Sequence, residues 1–277
     1  MNPFLVEERT HLAISGGRTS GYMLRKVLDA FDGKLPEGVV PIFCNTGKEA
    51  PGTLDFVERM SLEWDVPIVW LEFTSKAKLG FKEVNYATAS RKGEPFEALI
   101  HTKQRLPNIV SRFCTQWLKI LTAHRYCVHT LGWQDGFQTA LGLRADEPAR
   151  VAKLAPNEMT PGEESFAPLA KAGITKSDVL AFWKTSSFDL SIDEDAGNCD
   201  LCFLKGLGQK SRLIQRQPGV GDWWREQEAW VAAKTGKGGA AFSKEISMAD
   251  LIRRASEPDC QLTLFDDPGF QECRCTD

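Results

Sequence analysis

Ser15-Gly16-Gly17-Arg18-Thr19-Ser20 decides how the rest of this chain reads. Ahead of it stands the short apolar run His11 to Ile14. Behind it Tyr22, Met23, Val27 and Leu28 recur near the spacing of an amphipathic helix. The order is strand, glycine turn, helix, and it repeats outward. Val39 to Phe43 reads as a second buried strand, followed by Asn45-Thr46-Gly47. Leu54, Val57, Met60 and Leu62 suggest another helix, and Pro67 to Phe73 a third strand entered through Val66-Pro67. Thr139 to Leu143 reads as a fourth strand that ends in Gly142-Leu143-Arg144. Strands alternating with helices predict the α/β class: a Rossmann-like parallel sheet with crossover helices, which are nearly always right-handed. A smaller, mostly helical C-terminal region is expected beside it.

On this reading residues 1–150 form an α/β domain. Its periodicity fades over 74–102, where lysines, Gly80, Gly93 and Pro95 suggest an insertion. Residues 108–128 look helical in their second part, and 151–165, rich in Pro, Glu and Gly, read as a loop. Thr175 to Trp183 reads as a helix, with Thr175 its cap and Asp178 at the third helical position. A glycine-rich joint at 236–239 and a short helix from Met248 to Ala255 follow. Residues 151–277 form a cysteine-bearing region packed on the first domain. No internal repeat is visible.

Composition narrows the classes. The chain has 277 residues, 42% hydrophobic and 26% charged, so a normal core needs no disulfides. A net charge of -3 leaves no global basic field to draw it onto nucleic acid or a membrane, though a local patch is compatible with it. No apolar run approaches the ~20 residues that span a bilayer, and Met1 to Thr10 lacks the basic-then-apolar order of a signal peptide. A cytoplasmic location without membrane attachment is expected. The eight cysteines then stand in a reduced compartment, where the close pairs Cys199/Cys202 and Cys273/Cys275 read as metal ligands or redox thiols. Cys44 and Cys127 sit among apolar neighbours and read as packing residues.

The opening loop has the chemistry of an anion site. Two glycines let the backbone approach a ligand, and the following helix N-terminus offers unpaired N–H groups and the positive end of its dipole. Ser15, Thr19 and Ser20 add hydroxyls and Arg18 adds charge. Phosphate or pyrophosphate fits such a site.

The loop resembles the pyrophosphate-binding loop S-G-G-x-D-S of adenine-nucleotide enzymes. More narrowly, the chain is similar to the phosphoadenylyl-sulfate (PAPS) reductase-like branch. Phe43-Cys44-Asn45-Thr46-Gly47-Lys48-Glu49 looks like that branch's Thr-Gly-x-Glu segment after the second strand. Arg112-Phe113-Cys114 with Leu118-Lys119 resembles its R-x-C-C-x-x-L-K segment. Gly142-Leu143-Arg144-Ala145-Asp146-Glu147 with Arg150 is similar to its G-x-R-x-x-E…R segment. Ala167-Pro168-Leu169 with Asp178-Val179 looks like its P-L…D-V segment. The resemblance covers roughly residues 11–205. It implies that Ser15, Gly16, Gly17, Arg18, Thr19, Ser20, Thr46, Gly47, Glu49, Arg112, Arg144 and Arg150 bind ATP or an adenylyl-sulfate nucleotide, with magnesium as an accompanying ion. Two departures stand out. Thr19 replaces the loop's usual metal-positioning Asp, and Ala170-Lys171-Ala172-Gly173 replaces the usual Trp after Pro-Leu.

Cluster-bearing adenylyl-sulfate reductases, which the chain resembles, carry a Cys-Cys pair and later C-x-x-C, four thiolates that hold an iron–sulfur cluster. Here Cys114, Cys199 and Cys202 match, while Thr115 replaces the second Cys of the pair. The implied [4Fe-4S] site takes Cys273, or Cys275, as its fourth ligand. Soft thiolates also suit zinc, which stays open as the rival metal. The tail Glu272-Cys273-Arg274-Cys275 is similar to the reductases' E-C-G segment, which gives Cys273 an alternative role as nucleophile, with a thiol reductant as partner.

Lys103, Arg105, Arg112, Lys119, His124 and Arg125 cluster with Trp117 and Tyr126 among them. Such a stretch can track a nucleic-acid backbone, hold a small nucleotide's anions, or be a solvated face. The chain is therefore expected to be an adenine-nucleotide-dependent enzyme of sulfur chemistry: a sulfonucleotide reductase, or an adenylating ATP pyrophosphatase that serves sulfur transfer to nucleic acid. The alternative is a non-catalytic nucleotide- and metal-binding regulator, which Thr19 favours.

Overall fold

β2 (Val39–Asn45) carries hydrophobic residues on both faces, as a strand buried in a parallel sheet must. In the computed structural model, which describes residues 2–192, 196–197, 199–236, 241–243 and 245–257, it lies inside a six-stranded sheet. The other strands are β1 (Thr10–Ile14), β3 (Val69–Phe73), β4 (Phe81–Val84), β5 (Phe137–Leu141) and β6 (Glu163–Phe166), in the order β4-β3-β2-β1-β5-β6. All pairs are parallel except β3 with β4. The chain steps outward from β1 to β4 and then returns to β5 beside β1. A crevice opens past the carboxyl ends of strands at such a reversal.

Helices cover both faces. α1 (Arg18–Ala30) and α2 (Pro51–Glu63) bury Met23, Leu24, Leu28, Leu54, Val57 and Met60 against Leu12, Phe43 and Trp70. α7 (Lys176–Thr185) joins that face through Trp183, 2% exposed, whose Nε1 donates to the Arg18 carbonyl at 2.9 Å. Its start is a capping box, as its sequence predicts: the Thr175 backbone N–H donates to Asp178 Oδ2 at 2.8 Å. On the opposite face α4 (Leu121–His129) packs Ala123, Tyr126 and Cys127 against Ile42, Cys44 and Leu71. Cys44 and Cys127 are buried there as packing residues, and burial pushes the Cys44 thiol up to about 12.

Two stretches differ from their sequence reading. The expected insertion at 74–102 contains β4, an antiparallel edge strand, and leads into α3 (Glu94–Lys103). Its short elements are stabilised by long-range packing, which local periodicity does not register. The loop expected at 151–165 ends in β6, so the sheet continues past residue 150. The short helices α5 (Pro148–Val151) and α6 (Pro168–Lys171) come before and after β6. A second core joins α3 to α8 (Leu207–Arg216), α9 (Asp222–Thr235) and α10 (Met248–Ala255), with Phe96, Leu201, Leu213 and Trp224 at its centre. Before α4 comes a π-helical segment, Thr115–Ile120. Among the described residues no helix is long and apolar enough to cross a membrane.

Candidate functional site

The loop after β1 is held by its own hydroxyls. Ser20 Oγ donates to the Gly17 carbonyl at 3.0 Å and accepts from the Ser15 backbone N–H at 3.1 Å, with Ser15 Oγ 3.0 Å away. Gly16 takes φ +80, and a Cβ there would lie 2.4 Å from Thr53 Cγ2. Gly17 is the extended N-cap of α1 at φ -103. The α1 N-terminus therefore faces the crevice beyond β1. Gly142, at the end of β5, comes so close that a Cβ would lie 3.1 Å from Ser20 Cα.

Side chains expected to bind the ligand also bind each other. The Arg18 guanidinium is clamped by Asp189, with Nε to Oδ1 at 2.7 Å and Nη2 to Oδ2 at 2.9 Å. Arg144 is 3% exposed and donates to Thr19 Oγ1 at 3.1 Å and to Asp146 Oδ1 at 3.0 Å. Glu147 accepts from the Arg144 backbone N–H at 3.0 Å and also pairs with Arg150. Thr19 thus meets an arginine at the position where the resembled loop carries an acid.

The second part of the site lies past β2. Asn45 Oδ1 accepts from the Gly47 N–H at 3.0 Å, which turns the chain at φ +76. The segment 46–49 then receives the C-x-x-C turn. Glu49 bridges Cys199 through the backbone, the Asp200 N–H donates to the Lys48 carbonyl at 2.9 Å, and Lys48 Nζ pairs with Asp200 Oδ2 at 2.7 Å. Trp224 Nε1 donates to Asp200 Oδ1 at 2.7 Å, and Lys205 Nζ donates to the carbonyls of Cys199 and Asp200 at 2.8 and 2.5 Å. Lys205 therefore serves the turn's carbonyls. Lys48, Asp200 and Trp224 were not singled out from sequence; an acid inside the C-x-x-C and a lysine after Thr-Gly were the available signals.

This docking brings Cys114, Cys199 and Cys202 to one cavity, lined also by Thr46, Arg112, Thr115 and Lys119 and by the apolar Phe96, Leu118, Phe203, Leu204 and Trp224. Thr46 Oγ1 lies 3.8 Å from Cys199 Sγ and donates to Glu49 Oε1 at 3.0 Å. Burial pushes the thiols of Cys199 and Cys114 up, and Lys119 draws both partly back. Burial likewise raises Glu49, whose Oε1 lies 3.5 Å from Lys119 Nζ. Among the described residues no three His, Cys, Asp or Glu side chains form a group that could hold a single metal ion. The cavity brings together three thiols, an apolar lining and the cations Arg112 and Lys119, side chains whose chemistry is compatible with a thiolate-bound group. Cys273 and Cys275, the expected fourth ligand or nucleophile, lie outside the described residues.

Sheet, loop and thiol cavity define an α/β protein whose candidate chemistry gathers at the carboxyl edge of a parallel sheet. No family model matches the chain. The chain belongs to the family of the uncharacterized nin region protein ORF290 of Escherichia phage lambda. It is 33% identical to that protein over 216 residues, 76% of this chain and 70% of the phage protein. It is also similar to two solved structures, each at a TM-score of 0.41. One is the phosphate complex of phosphoadenylyl-sulfate (PAPS) reductase from Candida auris, at 15% identity over 66% of this chain and 79% of that one. The other is the U34-tRNA thiolase NcsA from Methanococcus maripaludis with its [4Fe-4S] cluster, at 14% identity over 90% and 82%.

Proposed function

We propose that this chain is an adenine-nucleotide-dependent enzyme of sulfur chemistry, PAPS reductase-like in design. The observation that carries the reading is the meeting of loop and thiols on one edge of the sheet. The Ser15–Ser20 loop and the cavity of Cys114, Cys199 and Cys202 both lie past the carboxyl ends of the strands. Thr46, at the end of β2, lines that cavity and touches Cys199.

Phosphates of ATP or a sulfonucleotide sit against the backbone N–H groups at the start of α1, where the helix dipole favours an anion. Arg144, Arg150 and Arg112 supply guanidinium forks for phosphate or sulfate oxygens, which Arg144 can do by exchanging one of its present acceptors. Thr46, Gly47 and Glu49 form the wall towards the thiols. Cys114, Cys199 and Cys202 would hold a [4Fe-4S] cluster, with Cys273 or Cys275 as a fourth ligand, or zinc in its place. Three cysteine thiols on one largely apolar cavity would suit such a thiolate-held cluster, which the family resemblance favours over zinc. When bound, such a cluster would hold an anionic sulfur group electrostatically beside Arg112 and Lys119. The observation favouring a non-catalytic binder is Thr19 itself, a hydroxyl bonded to Arg144 where the resembled loop carries a carboxylate for magnesium.

Anaerobically purified protein should be brown, with about four iron and four sulfide per chain. Incubated with ATP, or with a sulfonucleotide and thioredoxin, it should release pyrophosphate or sulfite. Pyrophosphate identifies adenylation and sulfite identifies reduction. Release of neither, with nucleotide still bound, overturns the enzyme reading in favour of the regulator. One zinc per chain without iron overturns the cluster.

A further inference from the structure

Several cations that this reading leaves unused gather around Trp117. Lys103, at the end of α3, sets Nζ 3.4 Å from the centroid of the Trp117 ring, and Arg125 of α4 brings its guanidinium carbon to 5.4 Å from the same centroid. Arg105 lies 4.8 Å from the Phe113 ring centroid. Among the described residues neither these three nor Arg112 pairs with any carboxylate, although the chain as a whole carries a net charge of -3. Burial, with Arg105 and Arg125 nearby, holds the Lys103 ammonium below its ordinary value, as like charges crowded together must. A crowd of unpaired cations costs free energy in the isolated chain and becomes favourable when a polyanion covers it.

The patch leads into the thiol cavity. The π-helical segment carries Trp117 beside the cations and Thr115 and Lys119 in the cavity lining, and Arg112 lies on that lining too. Such widened turns recur at functional sites. Between Arg105 and Arg112 the chain exposes Ile109 at 54% and Val110 at 81%. An exposed apolar pair inside a basic stretch offers a base something to pack on.

We infer that this face binds a single-stranded nucleic acid, with its backbone over Lys103, Arg105 and Arg125 and a base directed past Arg112 towards the thiol cavity. The role as sulfur acceptor rests on the proposed function; the binding itself does not. Lys103, Arg105 and Arg125 lie outside the cavity lining, and on the proposed function a small nucleotide's phosphates go to the start of α1 and leave these cations uncovered. A duplex keeps its bases stacked, and a stacked base cannot enter the cavity.

The test uses the full chain and a labelled single-stranded RNA or DNA of about 16 nucleotides, titrated by fluorescence anisotropy over a salt series. Log affinity should fall with log salt at a slope of roughly -2 or steeper, the value for three or more neutralised phosphates on a single strand. The triple variant Lys103→Gln, Arg105→Gln, Arg125→Gln should bind at least about tenfold more weakly at low salt, with its slope flattened by about 2. Charge-conserving Lys103→Arg and Arg125→Lys should bind as the parent does. Should the triple variant melt early, Arg105→Glu alone, at an exposed position, must still weaken binding. The inference is overturned if the parent shows no salt-dependent binding, if Arg105→Glu binds as the parent does, or if duplex DNA or polyglutamate competes as well as the single strand. ATP titration on the same protein separates the two readings. Loss of ATP binding with oligonucleotide binding intact sinks the nucleotide site alone, and the reverse sinks this face alone.

Discussion

Gly16 and Gly17 are adjacent, and the backbone gives them different work. Gly16 sits at φ +80 with Thr53 Cγ2 where a Cβ would go, whereas Gly17 has an extended backbone that any residue adopts. A left-handed residue with a side chain costs about 1–2 kcal/mol before any clash. Gly16→Ala should therefore destabilise the fold by more than 2 kcal/mol, roughly, once Thr53 must shift as well. Gly17→Ala should change stability by only about 1 kcal/mol at most, since Ala is a poorer N-cap than Gly. It should weaken nucleotide binding by placing a methyl beside the phosphate path. Urea melts and calorimetric ATP titrations of both variants check this. Equal stability of the two would remove the distinction, and unchanged ATP affinity in Gly17→Ala would move the nucleotide elsewhere.

At the scale of elements, the docking of the C-x-x-C turn on the segment after β2 matters most. Lys48 is its clamp: it pairs with Asp200 and lies 5.1 Å from the Trp223 ring centroid. Fully buried pairs cost about 3–5 kcal/mol to break from one side. Asp200 keeps 20% of its side chain exposed, so solvent softens the loss, and Lys48→Met should cost roughly 2 kcal/mol. On the proposed function the same change should also lower the metal bound per chain, because Cys199 and Cys202 would no longer be held facing Cys114. Elemental analysis beside a thermal melt reads both effects. Full metal content in a destabilised Lys48→Met would show that the turn keeps its place without the clamp.

Across the whole molecule, the sheet ties stability to pH through a buried histidine. His11, on β1, is 6% exposed; its Nδ1 lies 3.2 Å from Thr139 Oγ1, and burial drives its pKa from 6.5 to about 3. The unfolded chain takes up this proton near pH 6.5 while the folded chain refuses it until about pH 3. The histidine's stability contribution is therefore whole above pH 6.5 and falls by up to about 1.4 kcal/mol per unit as pH drops between those values. Glu163, raised by burial, opposes this where the folded chain binds its proton before the unfolded chain does. His11→Asn should flatten the acid limb of a denaturation series between pH 6.5 and 4. An unchanged slope would exclude His11 as its source.

Much of this was legible without coordinates, because it depends on local patterning. Apolar runs ending in Gly-Gly or Thr-Gly mark β1 and β2, 3.6-residue spacing marks α1, and Thr175 with Asp178 marks the start of α7. The close pair Cys199 and Cys202 shows in its spacing, and Cys114 is joined to it only by the family resemblance. Tertiary structure alone decided three things. It made β4 and β6 strands, since short edge strands gain their stability from neighbours far away in sequence. It turned Arg18 onto Asp189 and Arg144 onto Thr19, partners far away in sequence that only the fold brings within hydrogen-bond reach. And it brought the three thiols to one cavity by laying Lys48 against Asp200, a contact between segments that no local pattern relates.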